Sequence, residues 1–220
     1  MKKKRLRLCI DISMIILLPM LMAYSLIGEA FHEITGTIMF GLFITHQIIN
    51  RRWYSGLFKG RYTASRVFQT VLNLALLVFM LLQPVSGILR SKHLYTSLPT
   101  FPVSAYVRHI HMAFAYWGYV LICMHAGLHM VAPIRRLYAK SRGLCMLIGV
   151  LILGISIRGI FAFINRGFPG YMTGKVAFAF FDYSEPRVFF FFDYLAVMIL
   201  FMMIGFGCFS ILAKERRSIQ

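Results

Sequence analysis

Long apolar segments alternate with short polar ones along this chain. Six segments are apolar over about 20 residues or more, the length an α-helix needs to cross a bilayer, and they cover residues 8–28, 30–50, 68–89, 107–130, 144–164 and 188–213. Unpaired backbone groups cannot face hydrocarbon, so such segments form helices rather than strands. The pattern predicts an all-α integral membrane protein, a six-helix transmembrane bundle that forms one domain over residues 1–220.

The basic residues predict which way these helices run. Of the 24 Lys and Arg residues, 17 lie in the first, third, fifth and seventh polar segments, and only 7 lie in the segments between them. The positive-inside rule therefore places both termini in the cytoplasm. Because topology explains the formal charge of +17 and no soluble basic arm carries it, we expect membrane lipid and no nucleic acid as a partner.

Histidines give the strongest functional signal. Six of the seven lie in two predicted helices, with His32 and His46 in the second helix and His109, His111, His125 and His129 in the fourth. Ionisable side chains are costly inside a bilayer, so this concentration indicates a functional site.

The spacing of these histidines repeats. His32 and His46 are 14 residues apart, as are His111 and His125, which leaves each pair within about 40° of one helix face. A rise of about 21 Å places one histidine of each pair near each side of the membrane core. Since both helices run from outside to inside, His32 can face His111 at the outer level and His46 can face His125 at the inner level.

Two facing histidine pairs indicate two haems. Imidazoles from opposite helices fill both axial positions of the iron, which suits electron transfer and leaves no open position for oxygen chemistry. None of the four cysteines belongs to a CxxCH motif, so the cofactor is expected to be noncovalent haem b, bound between helices two and four.

Two further histidines of helix four lie outside this repeat. His109 points roughly 160° away from His111 and is left out as a ligand. His129 lies one turn beyond His125, and it could replace His125 as the ligand, or hydrogen-bond a haem propionate or a quinone.

Three other residues are candidates for haem binding. Gly118 lies midway between the histidines of helix four, where it would let either the macrocycle or a neighbouring helix approach closely. Arg108 and Arg158 are candidates for binding the anionic propionates at the outer face. Asp193 is the alternative partner for Arg158.

Short motifs across nearly the whole chain resemble the flavinylation-associated cytochrome family of bacteria. They include FHEITG at residues 31–36, THQIINRRW at 45–53, VSGI at 85–88, IHMAFAY at 110–116 and HAGLH at 125–129. The resemblance implies iron ligation by His32, His46, His111 and His125, with His129 as an adjacent match. It also implies a flavin-carrying partner outside the membrane, since no SGAT-like flavin acceptor motif occurs here.

The expected function is electron transfer across the bacterial cytoplasmic membrane. Electrons would pass from a quinol or a partner subunit to an extracytoplasmic flavoprotein or haem protein. Two alternatives stay open: a proton or metal-ion transporter that uses histidines as relays, and a membrane anchor subunit of an oxidoreductase complex. Glu33 and His129 are candidates for a quinone site at opposite faces.

Overall fold

The computed structural model describes residues 2–97, 105–176 and 178–218, and within these ranges the chain forms helices and no strands. The helices are α1 Lys2–Met22, α2 Tyr24–Ile27, α3 Glu29–Ile49, α4 Arg52–Gly56, α5 Ala64–Ile88, α6 Ala105–His129, α7 Val131–Lys140, α8 Arg142–Asn165, α9 Phe168–Met172 and α10 Arg187–Ser218. The all-α prediction is therefore confirmed for the described residues.

The first predicted helix, residues 8–28, differs from the observed one. Helix α1 begins six residues earlier and ends at Met22, and the short helix α2 follows it. Gly28 then adopts a φ of 85°, a conformation that residues with a side chain rarely tolerate. A glycine in this conformation lets the chain leave α2 and enter α3 without an intervening loop.

Among the residues that the structure describes, three helices are long and apolar enough to cross a membrane. They are α5, α8 and the Arg187–Lys214 part of α10, and a fourth span results if α6 and α7, bent by 42° at Met130, are one span. Helices α1 and α3 each have 21 residues but are not among these spans, because basic, acidic and histidine side chains lower their apolar content. The six-span arrangement therefore stays a prediction.

The surface of α8 has the character of a helix in lipid. Its buried residues are the small Ser156, Gly159 and Ala162. Its large apolar side chains point outward, and those at least half exposed include Leu147, Val150, Leu151, Leu153, Ile157, Phe161 and Ile164. A soluble helix would bury the large apolar residues instead, so this distribution indicates a hydrocarbon environment.

The described residues form two compact units. The first is drawn from Met1–Gly60, Val78–Tyr116 and Gly170–Arg187, and the second from Arg61–Leu77, Trp117–Pro169 and Val188–Gln220. Helices α5 and α6 contribute residues to both. In the first unit α1 packs against α3, which brings a polar side chain of α1 to a histidine of α3.

In the second unit, glycines bring α6 and α10 into backbone contact. A Cβ atom added to Gly127 of α6 would collide with the carbonyl group of Met202, and one added to Gly205 of α10 would collide with that of Met124. Small residues allow this close packing of membrane helices. The contact fixes the part of α6 that carries His125 and His129.

Candidate functional site

His32 of α3 and His111 of α6 lie side by side in the first unit. Their ring centroids are 6.3 Å apart and their planes are inclined by 72°. With metal–nitrogen distances of about 2.0–2.1 Å and ring centroids about 1.2 Å further back, two imidazoles on opposite sides of one iron have centroids about 6.4–6.6 Å apart. The observed separation is close to this distance, and it is also within the range of edge-to-face ring pairs.

The protonation of His111 suits an iron ligand. The hydroxyl group of Ser86 donates its proton to the carbonyl oxygen of Gln83 at 2.8 Å, so its oxygen accepts from His111 Nδ1 at 2.9 Å. The proton of the neutral imidazole is then on Nδ1, and the lone pair is on Nε2. A hydrogen bond of this kind fixes the tautomer and orientation of a metal-binding histidine.

Gln83 lies where the iron would approach His111. Its amide nitrogen is 3.3 Å from His111 Nε2, while its own Oε1 is buried without a hydrogen-bond partner. An amide that is only partly satisfied costs little to turn aside. Gly87 lies at the same ring, since a Cβ atom there would be 3.4 Å from His111 Cε1, so α5 passes close to this imidazole.

Unpartnered buried polar atoms are concentrated at this pair. Among the residues that the structure describes, the buried side-chain atoms without a hydrogen-bond partner are His32 Nδ1, Gln83 Oε1 and Arg108 Nε. Gln83 contacts His111, and Arg108 precedes His111 by one helical turn on the same face. Buried polar groups are nearly always paired in folded proteins, so this cluster fits a site whose remaining partner is a bound polar group.

Two arginines add positive charge beside the outer pair. The guanidinium group of Arg108 lies 4.6 Å from the ring centroid of Phe178. Burial, and after it the charge of Arg108, lower the pKa of Arg90 below its ordinary value. Two neighbouring cations favour an anion between them, and the propionates predicted to bind Arg108 are such anions. Arg90 was not predicted, because it follows the third apolar segment as an ordinary flanking residue.

His46 of α3 has a carboxylate partner. Its Nδ1 is 2.8 Å from Oδ1 of Asp11 on α1, and a carboxylate accepts, so the imidazole donates from Nδ1 and keeps its lone pair on Nε2. Carboxylate–histidine pairs of this kind are common at metal sites and make the imidazole a stronger ligand. Asp11 was not singled out from the sequence, although it is the one acidic residue of the first apolar segment.

His125 of α6 has a neutral partner in the second unit. Its Nδ1 is 2.8 Å from Oδ1 of Asn73 on α5, so it too donates from Nδ1 and keeps its lone pair on Nε2. His129 Nε2 is 3.3 Å from that nitrogen, which makes His129 a donor to His125. The pairing of His125 with His46 stays a prediction from the spacing.

His109 has a different environment from the predicted ligands. Its Nδ1 is 2.9 Å from the carbonyl oxygen of Gly174, in the segment that follows α9. The side chain thus contacts a loop, in agreement with its direction on the helix, which pointed away from His111.

Gly118 is buried, yet the space beside it is open. A Cβ atom built there would meet no described atom within 4 Å, in contrast to the glycines that pack helices together. Close helix packing therefore has no described contact at this position, and room for a macrocycle stays a prediction. Met39, the residue at the corresponding point of α3, is buried.

Arg158 lies on Asp193, the alternative partner that the sequence suggested. Its Nε and terminal nitrogen lie 3.0 Å and 2.6 Å from Asp193 Oδ1. Arg166 binds the other carboxylate oxygen at 2.9 Å. Asp193 is buried, so the three side chains form a structural ion cluster in the second unit. If Arg158 also binds a haem propionate, it must do so while it is bound to Asp193.

Glu33, a candidate for a quinone site, anchors the loop after α5 instead of facing open space. Its carboxylate accepts from the hydroxyl group of Ser91 at 2.7 Å and from the backbone N–H groups of Lys92, His93 and Leu94 at 2.8, 3.2 and 2.9 Å. Residues 98–104 of this loop lie outside the described residues. The hydrogen bonds fix the start of the loop next to His32.

Within the described ranges, no three His, Cys, Asp or Glu side chains converge on a position for a bare metal ion. A bis-histidine haem needs only two protein ligands. Comparisons of the chain with protein-family models, curated proteins and solved structures found no match.

Proposed function

We propose that this protein transfers electrons across a membrane through haem b held between histidines of α3 and α6. The observation that carries the proposal is the His32–His111 pair, whose centroid separation of 6.3 Å suits two axial ligands. The unpartnered atoms of His32, Gln83 and Arg108 around it support the same conclusion. Bound haem supplies a one-electron couple, and the protein supplies position and electrostatics.

The histidines have separate roles in this proposal. His32 and His111 would hold the outer haem, and His46 and His125 would hold the inner one. Haem held by two histidines would supply one-electron transfer and leave no position for oxygen chemistry. His129 Nε2 lies 3.3 Å from His125 Nε2, the nitrogen that would bind the iron, so His129 would have to turn away from it when haem binds. It could then hydrogen-bond a haem propionate or a quinone.

Two arginines and the open space beside Gly118 complete the proposed haem sites. Arg108, with its unpartnered Nε, and Arg90 bind propionate at the outer level, where each carboxylate can accept charge-assisted hydrogen bonds. Gly118 leaves room beside α6 for the macrocycle.

The protein would span the bacterial cytoplasmic membrane six times, with both termini in the cytoplasm. Membrane quinol or a partner subunit would supply electrons, and an extracytoplasmic flavoprotein or haem protein would accept them. These assignments rest on the charge distribution and on the resemblance to the flavinylation-associated cytochromes.

The test is the haem content of the purified full-length protein. We expect reduced-minus-oxidised spectra typical of bis-histidine haem b and two haems per chain by pyridine haemochrome. His111→Ala and His46→Ala should each retain about one, because each removes one axial ligand of a different haem. His93→Ala is the matched control, since His93 is an exposed histidine near Glu29 and should retain both.

Two results would contradict the proposal. Protein expressed with ample haem but purified without any would favour the transporter, which needs no chromophore. Loss of haem in His93→Ala equal to that in His111→Ala would show that the loss is not specific to the ligands. One haem per chain, lost in His111→Ala and kept in His46→Ala, would reduce the proposal to the outer site.

A further inference from the structure

Helix α7 carries its apolar side chains along one side. They recur every three residues, which at about 100° per residue places them within an arc of about 120°, and they are Val131, Ile134 and Leu137. These three side chains are half-buried, whereas every other residue of α7 is exposed. Because α7 contacts α8, the apolar side is the one that packs against the protein.

The opposite side of α7 is basic. Arg135, Arg136 and Lys140 form this basic face; all three are exposed, and their centre lies about 180° from the centre of the apolar side. Arg142 follows at the start of α8, where its guanidinium group lies 5.5 Å from the ring centroid of Tyr138. Four positive charges therefore lie within residues 135–142.

No carboxylate of the described residues neutralises the basic face. The chain contains no Asp or Glu from Ile34 to Phe181, and none of the ion pairs that the structure describes includes a residue of the basic face. The positive-inside rule explains why basic residues lie on one side of a membrane. It does not require them to share one face of a helix opposite an apolar side, so the arrangement indicates a bound anion.

The position of α7 next to α8 identifies the membrane surface as its environment. Helix α8 begins at Arg142 and is long and apolar enough to cross a membrane. Ser141 joins the two helices, since its N–H group donates to the carbonyl oxygen of Leu137 at 2.8 Å and its hydroxyl accepts from the N–H group of Leu144 at 3.3 Å. Three charges on one side of α7 are too costly in hydrocarbon, whereas an amphipathic basic helix is typical of the lipid headgroup boundary.

We propose that the basic face of α7 binds the phosphate groups of anionic phospholipids. Arg and Lys bind such phosphates through charge-assisted hydrogen bonds, and basic segments beside a membrane helix are attracted to anionic headgroups. Lipid is the occupant because the apolar side of the same helix packs at the level where α8 enters the bilayer. The inference goes beyond electron transfer and requires no haem.

The test is a titration of the full-length protein in detergent with phosphatidylglycerol. A polarity-sensitive dye on Ala139→Cys, in a cysteine-free background, reports binding, because Ala139 is exposed and shares the side of the basic face. Each basic residue at an anionic surface contributes about a fivefold increase in affinity, so Arg135→Gln combined with Arg136→Gln should weaken binding about 25-fold. Added salt should also weaken binding to the wild type.

Two double variants serve as controls. Lys59→Gln combined with Arg61→Gln removes two exposed positive charges outside α7 and should bind phosphatidylglycerol like wild type. Arg135→Lys combined with Arg136→Lys keeps both charges and should keep most of the affinity. Glutamine and lysine are about as favourable as arginine in a helix, so α7 should form in every variant.

Two other ligands separate the sources of phosphate. Phosphatidylcholine has the same phosphate group and acyl chains without net negative charge, and inorganic phosphate has the charge without the acyl chains. Both should bind much more weakly than phosphatidylglycerol, because the site requires negative charge held at the membrane surface.

Four results would overturn the inference. They are equal binding of phosphatidylglycerol and phosphatidylcholine, displacement of the lipid by an equal concentration of inorganic phosphate, wild-type affinity in the double glutamine variant, and an equal loss in the Lys59 and Arg61 variant. If the double glutamine variant does not fold, Arg136→Gln alone should lose about fivefold, and wild-type affinity there would be equally decisive. Haem content tests the proposed function separately, since no residue of the basic face is a proposed haem ligand.

Discussion

Single polar residues inside this apolar chain nearly all have an identifiable partner. Asp11, Asn73 and Ser86 each accept from a histidine, and Asp193 binds two arginines. Because a polar group without a partner is costly in hydrocarbon, each such residue forms a unit with its partner. Changing one member should therefore affect the other.

The ion cluster of Asp193 gives a prediction for stability. Asp193→Asn removes the negative charge that both Arg158 and Arg166 bind. A fully buried pair broken in this way costs about 3–5 kcal/mol, and since Arg158 is half exposed we expect about 2–3 kcal/mol. The measurement is the unfolding midpoint in detergent.

The control for this prediction is Asp182→Asn, which changes an exposed carboxylate of the segment before α10. Its midpoint should equal that of wild type. An Asp193→Asn protein as stable as the control would mean that lipid or detergent headgroups already compensate the two arginines.

At the scale of helices, packing depends on small residues rather than on apolar stripes. Helix α10 carries Gly205 against the backbone of α6, while Gly207, two residues further on, has no described atom within 4 Å of the position of a Cβ. The two glycines are alike in the sequence and differ only in what lies opposite. This difference makes a matched pair of substitutions.

Gly205→Ala should destabilise the protein and Gly207→Ala should not. A methyl group at Gly205 collides with the backbone at Met124 and forces α6 and α10 apart, at a cost of about 1–3 kcal/mol. At Gly207 alanine favours the helix by about 0.5–1 kcal/mol. Thermal unfolding of both variants in the same detergent tests this, and equal midpoints would contradict the close contact.

The sequence predicts the helices well and their partners poorly. Periodicity predicted that His32 and His46 share one face of their helix, as His111 and His125 do, because this spacing is a local property of each helix. Asp11, Ser86 and Asn73 could not be assigned in this way, since the partner of a side chain depends on which helices pack together and at what height. The break at Ala23 between α1 and α2 was missed, because the two helices lie in one continuous apolar segment.

At the scale of the whole molecule, the number of membrane crossings decides the topology. Helices α5, α8 and α10 are long and apolar enough to cross, whereas α1 and α3 carry the polar residues that the proposed haem sites require. A helix whose polar groups are paired inside a bundle can still cross. The proposal of six spans depends on that compensation.

Labelling with a membrane-impermeant maleimide tests the number of spans. In a cysteine-free background, Ala30→Cys at the start of α3 should react from outside intact spheroplasts, and Lys59→Cys after α4 should react only after the membrane is opened. Both positions are exposed. If α1 and α3 do not cross, the two cysteines lie on the same side and react alike.

Each of the three side chains that accept a hydrogen bond from a histidine precedes that histidine in the sequence. Asp11 precedes His46, Asn73 precedes His125 and Ser86 precedes His111. A ribosome makes the chain from its amino terminus, so every acceptor has been synthesised before its histidine leaves the ribosome. Each imidazole therefore has its acceptor already present in the chain when its own helix forms, so these hydrogen bonds need no cofactor to form.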